Sequence, residues 1–246
     1  MTTDLGLPDN IQACLFDLDG VVTKTAVVHA AAWKETFDAF LRQRQGADAE
    51  PFSDDDYDQY VDGRPRADGV RTFLASRSIH LPEGSPDDPP DAQTVHGLGN
   101  RKNELLLEKI RTQGVEPYDG TLRYIEAVRA KGLRTAIVSS SANTLDVLKS
   151  IDAEHLFDVR IDGVVAVQRG LPGKPRPDTF LAAAADLGIE AAGAAVFEDA
   201  LAGMDAGRAG RFGYVVGVDR VGQTDALYAH GADRVVKDLA ELGGQA

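Results

Sequence analysis

The chain has 246 residues, of which 43% are hydrophobic and 26% are charged. This balance fits one or two packed domains better than a disordered, fibrous or collagen-like chain. The 39 acidic residues outnumber the 26 basic ones and give a net charge of −13. We therefore expect no binding to nucleic acid or to an anionic membrane, because both depend on an excess of Lys and Arg.

The single cysteine, Cys14, excludes an internal disulfide and favours a reducing compartment. Residues 1–10 lack the basic and apolar regions of a secretory signal. No apolar run approaches the roughly 20 residues that a bilayer span requires. We predict a cytoplasmic protein that does not enter a membrane, and we expect a monomer.

Short apolar segments rich in Val, Ile and Phe alternate with helical spacing along most of the chain. The predicted strands are 13–16, 134–138, 194–197 and 213–218. The predicted helices are 120–131, 143–150 and 177–187, and Gly132 and Gly188 are suited to end the first and the third. This alternation predicts an α/β fold in which helices flank a parallel sheet.

The alternation lapses after the first strand, where the apolar residues keep helical spacing without intervening strands. We predict a helical insert at 25–113 between two segments of one core domain, 1–24 and 114–246. Within the insert lie an acidic tract at 48–58 and a proline-rich tract at 81–91. Ser53 and Asp56 have the spacing of a capping pair, so the acidic tract is expected to contain a helix start.

Two carboxylates, Asp17 and Asp19, follow the first predicted strand, at the end where open α/β sheets bind ligands. Residues two apart on an extended chain point the same way. Such a pair can bind a hard cation, and one member can attack an electrophile while the other moves a proton. The alternative is an Asp-Gly turn with no chemical role.

Polar residues also follow two later strands. Ser139 begins a serine-rich turn that offers hydroxyl and N–H groups to an oxyanion, or else only caps the next helix. Glu198 and Asp199 form a second acidic pair after a strand, for which a helix cap is again the plainer interpretation. Between them, Lys174 stands in a Gly-Lys-Pro segment, either solvated or held to stabilise a phosphate and its attacking carboxylate.

Taken together, these four sites resemble the motifs of the haloacid dehalogenase superfamily. In order, the matching residues are Asp17 with Asp19, Ser139, Lys174, and Glu198 with Asp199. The resemblance covers residues 11–239. It implies a Rossmann-like core with an inserted α-helical cap domain that determines substrate specificity. It also implies that the four acids bind Mg²⁺ and that Ser139 and Lys174 bind phosphate.

The insert further resembles the β-phosphoglucomutase family, in which Thr, His and Trp follow the nucleophile at the spacing of Thr25, His29 and Trp33. The loop 63–66 resembles the family loop whose arginine binds the distal phosphate. The implied substrate-binding residues are Thr25, His29, Trp33, Gly63, Arg66, Lys102, Ser141 and Asn143. Without the resemblance, His29 would be interpreted as a surface or core histidine, Trp33 as a packing residue and Arg66 as a solvated cation.

The resemblance implies interconversion of β-D-glucose 1-phosphate and glucose 6-phosphate through β-glucose 1,6-bisphosphate. Asp17 is then the nucleophile that becomes an aspartyl phosphate, and Asp19 is the general acid and base. The substrate is a phosphorylated hexose. Exclusion of water from the aspartyl phosphate would separate such a mutase from a hydrolase with the same core.

Three departures from the family pattern concern charge: Lys24 replaces an Asp, Asp62 replaces a Lys, and Ala142 replaces a phosphate-binding Lys. The first two predict an ion pair between Lys24 and Asp62 with reversed signs. The third favours a competing interpretation, a magnesium-dependent sugar-phosphate phosphatase, unless Arg64 supplies the missing cation. A noncatalytic phospho-signalling receiver also carries acids and a lysine at strand ends, but it fits poorly with a large insert.

Overall fold

The computed structural model describes residues 5–243. They divide into two compact units, which we call the core unit (residues 5–24 and 115–243) and the helical unit (Thr25–Gly114). Within the described range, no helix combines the length and the apolarity that a membrane crossing requires.

The core unit is built on a six-stranded sheet in which every neighbouring pair is parallel. The strands are β1 (Ala13–Phe16), β2 (Arg134–Val138), β3 (Val159–Ile161), β4 (Ala194–Glu198), β5 (Tyr214–Val218) and β6 (Arg234–Val236). Their order across the sheet is β3-β2-β1-β4-β5-β6. The predicted α/β fold is therefore confirmed.

The helices fall into both units. In the helical unit they are α1 (Ala26–Gln45), α2 (Asp54–Asp56), α3 (Arg66–Ser76) and α4 (Val95–Gln113). In the core unit they are α5 (Asp119–Ala130), α6 (Thr144–Ser150), α7 (Gly163–Arg169), α8 (Asp178–Leu187), α9 (Leu201–Ala209) and α10 (Thr224–Ala229). The capping pair predicted in the acidic tract is present, since Ser53 and Asp56 form a reciprocal capping box at the start of α2.

Strand β1 lies at the centre of the sheet, and all four of its residues are buried. Phe16 is in register with Ile137 of β2 and with Phe197 of β4. Because the three strands run parallel in this register, their carboxyl ends meet at one edge of the sheet. The first residues after β1, β2 and β4 are therefore brought close together.

The helical unit has its own hydrophobic core, so its helices are held together by packing rather than by propensity alone. Four aromatic side chains form the centre of this core, with ring centroids 5.0 Å apart for Trp33 and Phe37, 4.2 Å for Phe37 and Phe73, and 4.9 Å for Phe52 and Phe73. All four are buried. The side of α1 that carries Trp33 and Phe37 is thereby fixed toward the interior of this unit.

Candidate active site

Asp17 is the first residue beyond β1 and is almost fully buried. Its backbone N–H donates to the Phe197 carbonyl at 3.0 Å, which continues the pairing of β1 with β4 by one residue. The carboxylate therefore leaves the sheet at a fixed point on its carboxyl edge. This is the edge at which open α/β sheets bind their ligands.

Lys174 lies between two of the predicted acids. Its ammonium donates to Asp17 Oδ1 at 2.5 Å, to Glu198 Oε1 at 2.6 Å and to the Val138 carbonyl at 3.0 Å. The side chain is 1% exposed, and an ammonium has three protons to donate. All of its donors are thus used, and one cation draws together the ends of β1, β2 and β4.

The two charges of this buried pair influence each other in opposite senses. Burial alone would lower the pKa of Lys174, but the carboxylates of Asp17 and Glu198 outweigh it and raise that pKa. Burial raises the pKa of Asp17 well above its ordinary value; Lys174 opposes this, and the neighbouring Glu198 and Asp19 charges reinforce it. We conclude that Lys174 is charged and that the carboxyl groups of Asp17, Asp19 and Glu198 outnumber this one cation.

Two glycines make room for the second acidic pair, Glu198 and Asp199, which ends β4. A Cβ on Gly203 would lie 1.8 Å from Glu198 Oε1, and one on Gly20 would lie 1.7 Å from Asp199 Oδ2. Any larger residue at either position would collide with a carboxylate. Gly20 also has a φ of +84°, which other residues rarely adopt.

Ser139 follows β2, and both its backbone and its side chain are engaged. Its N–H donates to the Ile161 carbonyl at 3.0 Å, and its hydroxyl oxygen accepts from the Ser141 N–H at 3.1 Å. The Ser141 hydroxyl in turn accepts from the Asn143 N–H at 3.2 Å, just before α6. The loop is thus a chain of serine turns that fixes Ser139 one residue beyond the carbonyl that Lys174 binds.

The donor set predicted for Mg²⁺ fits the chemistry of that ion, which prefers carboxylate oxygens, and the predicted acids outnumber the one lysine beside Asp17. The arrangement also limits how many oxygens can bind the ion, because both oxygens of Glu198 already accept hydrogen bonds. Lys174 donates to Oε1, and the Ala200 N–H donates to Oε2 at 2.8 Å. Within residues 5–243, no three His, Cys, Asp or Glu side chains converge on a ready metal position. The ligands Asp17, Asp19, Glu198 and Asp199 therefore remain a prediction.

In the helical unit, three of the predicted substrate-binding residues lie together. His29 Nδ1 is 3.1 Å from the ammonium of Lys102. That ammonium also lies 4.9 Å from the centre of the Trp33 ring. Lys102 and Trp33 are both buried, whereas His29 is partly exposed. Helices α1 and α4 hold this group, so a cation on α4 is oriented by an aromatic and an imidazole on α1.

The loop that precedes α3 contains the predicted Gly63 and Arg66. Gly63 has a φ of +71°, and its N–H donates to Asp62 Oδ1 at 3.0 Å. Arg66 is the first residue of α3 and is half-buried, which lowers the pKa of its guanidinium. Among the residues that the structure describes, Nε of Arg64 is one of the few buried polar atoms without a hydrogen-bond partner.

Thr25 is buried at the start of the helical unit, and its carbonyl accepts from the His29 N–H at 2.9 Å. Its neighbour Lys24, in the core unit, forms an ion pair with Glu116 at 2.8 Å. Sequence reasoning missed this partner and predicted Asp62 instead; the pair with Asp62 stays a prediction. It also missed the Val138 carbonyl and Gly203, because a backbone group and a small residue carry no signal of chemistry.

The comparisons with known proteins agree with this geometry. Residues 11–211 match a family model described as haloacid dehalogenase-like hydrolase. The chain belongs to this family. A curated β-phosphoglucomutase of Mycobacterium tuberculosis is 54% identical over 97% of this chain and 94% of its own. One from Bacillus subtilis is 30% identical over 94% of this chain and 92% of its own.

A solved structure has a similar fold. The β-phosphoglucomutase of Clostridium difficile superposes with a TM-score of 0.73 at 22% identity and covers 94% of this chain and 93% of that one. The predicted membership of the haloacid dehalogenase superfamily and its β-phosphoglucomutase-like group is therefore confirmed. The chain is accordingly an enzyme of that superfamily.

Proposed function

We propose that the protein is a β-phosphoglucomutase that interconverts β-D-glucose 1-phosphate and glucose 6-phosphate through β-glucose 1,6-bisphosphate. The observation that carries the proposal is the buried Asp17 carboxylate, held 2.5 Å from Lys174 at the carboxyl edge of the sheet. The name of a relative that is 54% identical supports the choice of substrate.

The catalytic roles follow from the position of each group. Asp17 acts as the nucleophile, because its carboxylate is oriented by a charged lysine rather than free to rotate. Lys174 and the Ser139 hydroxyl stabilise the charge of the transferred phosphoryl group. Asp19, two residues further on, moves the proton of the sugar hydroxyl. Each step thus uses a group that the ends of β1 and β2 or the Lys174 loop supply.

Asp17, Asp19, Glu198 and Asp199 are proposed to hold Mg²⁺, which when bound neutralises phosphate charge next to the carboxylates. The buried carboxylates explain why a cation is needed, since one lysine does not balance them. Removal of divalent ions by a chelator should abolish turnover, and added Mg²⁺ should restore it.

The residues proposed to bind the sugar and the second phosphate are Thr25, His29, Trp33, Gly63, Arg66, Lys102, Ser141 and Asn143. A half-buried guanidinium such as Arg66 suits a phosphate, because its planar fork donates two parallel hydrogen bonds. The buried Lys102 supplies a further positive charge in the helical unit, where His29 and Trp33 orient it.

A sugar-phosphate phosphatase is the second candidate, and two observations favour it. The matching family model is described as a hydrolase, and the exposed Ala142 offers no cation where the family resemblance implies a lysine. A hydrolase with this core would transfer the phosphoryl group from Asp17 to water rather than to a sugar hydroxyl.

The test is a phosphorus NMR time course with β-glucose 1-phosphate, Mg²⁺ and a trace of glucose 1,6-bisphosphate. We expect glucose 6-phosphate to accumulate at a rate that depends on the bisphosphate, with little orthophosphate. Orthophosphate without an isomerised sugar would reject the mutase in favour of the phosphatase. No turnover of any phosphate ester would reject both.

A further inference from the structure

The loop after β5, residues 219–224, carries none of the motif residues, yet several hydrogen bonds hold it in place. We call it the β5 loop. Asp219 is buried at its start and accepts hydrogen bonds from the Gly222 N–H at 2.7 Å, the Gln223 N–H at 2.9 Å and the Thr224 hydroxyl. One carboxylate therefore fixes the path of the whole loop.

The β5 loop contacts both acidic motifs through their backbones. Arg220 Nε donates to the Gly20 carbonyl at 2.8 Å, and Gln223 Nε2 donates to the Asp199 carbonyl at 3.0 Å. Gly20 directly follows Asp19. Two side chains of the β5 loop thus bind two other loops: Arg220 binds the one that carries Asp17 and Asp19, and Gln223 binds the one that carries Glu198 and Asp199.

Gly20 is the point where these two loops meet. Its N–H donates to the Thr23 carbonyl at 2.7 Å, and the space beside its Cα is filled by the carboxylate of Asp199. With Arg220 on its carbonyl, both backbone polar groups of Gly20 are bound. A shift of Gly20 would therefore move Asp19 relative to Asp199.

The guanidinium of Arg220 is itself held from other sides. It lies 3.5 Å from the centre of the Tyr118 ring, and Nη1 donates to the Lys237 carbonyl. Tyr118 follows the return of the chain from the helical unit, and its N–H donates to the Val22 carbonyl at 2.9 Å. Arg220 thus contacts the 18–24 segment directly at Gly20, and Tyr118, on which it stacks, binds the same segment at Val22.

We propose that Arg220 is a positioning residue, which holds Gly20 and so sets the distance between the Asp17–Asp19 carboxylates and Asp199. This inference extends the proposed function, and it rests on the proposed role of Asp17 as the residue that accepts the phosphoryl group. An arginine suits the task because its planar fork can stack on a ring and donate along two edges. Nη2 is buried and, within the described chain, lacks a hydrogen-bond partner. Its burial is a cost in folding free energy that the contacts of Nε and Nη1 offset.

The experiment compares Arg220→Lys and Arg220→Met with wild type in the full-length protein. We expect kcat to fall about tenfold in the first and up to about 100-fold in the second, because small displacements of reacting groups have effects of this size. KM for the sugar phosphate should change little, since Arg220 is proposed to act on the reacting groups. The rate at which a small acyl phosphate labels Asp17 should fall in parallel with kcat.

Arg129→Lys is the matched control. Arg129 is also a partly buried arginine of the core unit; it donates to the Leu156 carbonyl at 3.1 Å and to the Thr135 hydroxyl at 2.9 Å, near the start of β2. Its variant should lose thermal stability to a similar extent and keep its kcat. Should Arg220→Met not fold, Gln223→Ala, which removes the contact to the Asp199 carbonyl, carries the same expectation as Arg220→Lys.

Three results would overturn the inference. The first is a wild-type labelling rate in Arg220→Lys and Arg220→Met. The second is an equal fall of kcat in Arg129→Lys, which would mean that Arg220 only stabilises the fold. The third is a change in KM alone. The labelling rate separates this inference from the choice of substrate, because it can be measured even if the enzyme is a phosphatase. If the wild-type protein takes no label and turns over no phosphate ester, both this inference and the proposed function are rejected.

Discussion

Lys174 of the core unit and the two arginines near the start of α3 in the helical unit hold their charges in opposite ways. In the core unit, Lys174 uses every donor on two carboxylates and one carbonyl, and it is 1% exposed. In the helical unit, Arg64 keeps a buried Nε without an acceptor, within the part of the chain that the structure describes. Arg66 is half-buried, and burial lowers its pKa; no carboxylate of residues 5–243 opposes this shift.

This difference separates charged groups that are paired within the folded protein from charged groups that are left for a ligand. Lys174 is fully hydrogen-bonded by groups of the core unit, so its position and its charge are set before any substrate arrives, as preorganised catalysis requires. The guanidinium groups of Arg64 and Arg66 form no ion pair with any acid among the described residues, and a phosphate would supply the missing negative charge. We therefore expect substitutions of the core cation to affect stability and activity, and substitutions of the helical-unit cation to affect binding alone.

The largest effect is expected from Asp17→Asn. The amide is no nucleophile, so kcat should fall by at least about a thousandfold, as for other enzymes that lose their nucleophile. The protein should remain folded, because the amide oxygen can still accept from Lys174. The measurement is mutase turnover together with labelling of the enzyme by glucose 1,6-bisphosphate.

The control for this substitution is Asp205→Asn, which changes a partly exposed acid paired with His230 on the core unit. It should keep full activity. If Asp17→Asn still became labelled at the wild-type rate, the nucleophile would have to be another residue. The site around Lys174 would then not be the place where the phosphoryl group is transferred.

The second prediction concerns Lys174→Met. Removal of the ammonium leaves Asp17 and Glu198 buried without a counter-ion, which should lower the free energy of unfolding by about 3–5 kcal/mol. Activity should be lost as well. Denaturant unfolding followed by circular dichroism measures the first effect. Lys149→Met, at an exposed position of α6, should change stability by less than about 0.5 kcal/mol.

The third prediction is the counterpart in the helical unit, Arg66→Met. The apolar chain can occupy the same half-buried space, so stability should stay within about 0.5 kcal/mol of wild type. The value of kcat/KM with glucose 1,6-bisphosphate should fall about 10- to 100-fold, the loss expected when a charged hydrogen-bond pair is removed.

Arg44→Met, near the exposed end of α1, is the control for Arg66→Met and should leave both quantities unchanged. The reverse pattern, lost stability with an unchanged kcat/KM, would mean that Arg66 belongs to the core of the helical unit. The distinction between Lys174, which is paired within the protein, and Arg66, which is left for a ligand, would then fail.

The sequence predicted the four central strands because their apolar runs are buried on both sides. It missed β3 and β6, which are three-residue strands at the sheet edges and each contain an arginine. The acids at strand ends were predictable from topology, since parallel strands bring their carboxyl ends together. Arg220 was not, because a loop arginine has the same sequence signal whether it is solvated or donates to a buried carbonyl.

The smallest effect is expected at Asp56, whose carboxylate accepts from Ser53 and, at 2.7 Å, from Arg77. Burial would raise the pKa of Asp56, but these hydrogen bonds outweigh it and lower that pKa. Because the folded pKa lies below the unfolded value, the ionised carboxylate stabilises the protein above about pH 4. This stabilisation is lost as the pH falls through the folded pKa.

Asp56→Asn should therefore reduce the free energy of unfolding by about 1–2 kcal/mol at pH 7, and by less at acidic pH. Thermal unfolding at a series of pH values checks this, with Asp54→Asn, an exposed acid in the same turn, as control. Turnover at pH 7 should be unchanged. A difference that stayed constant down to pH 3 would show that Asp56 acts by shape and not by charge. The pair of Asp56 with Arg77 would then not be a counterpart, in the helical unit, of the pairs that Lys174 forms in the core unit.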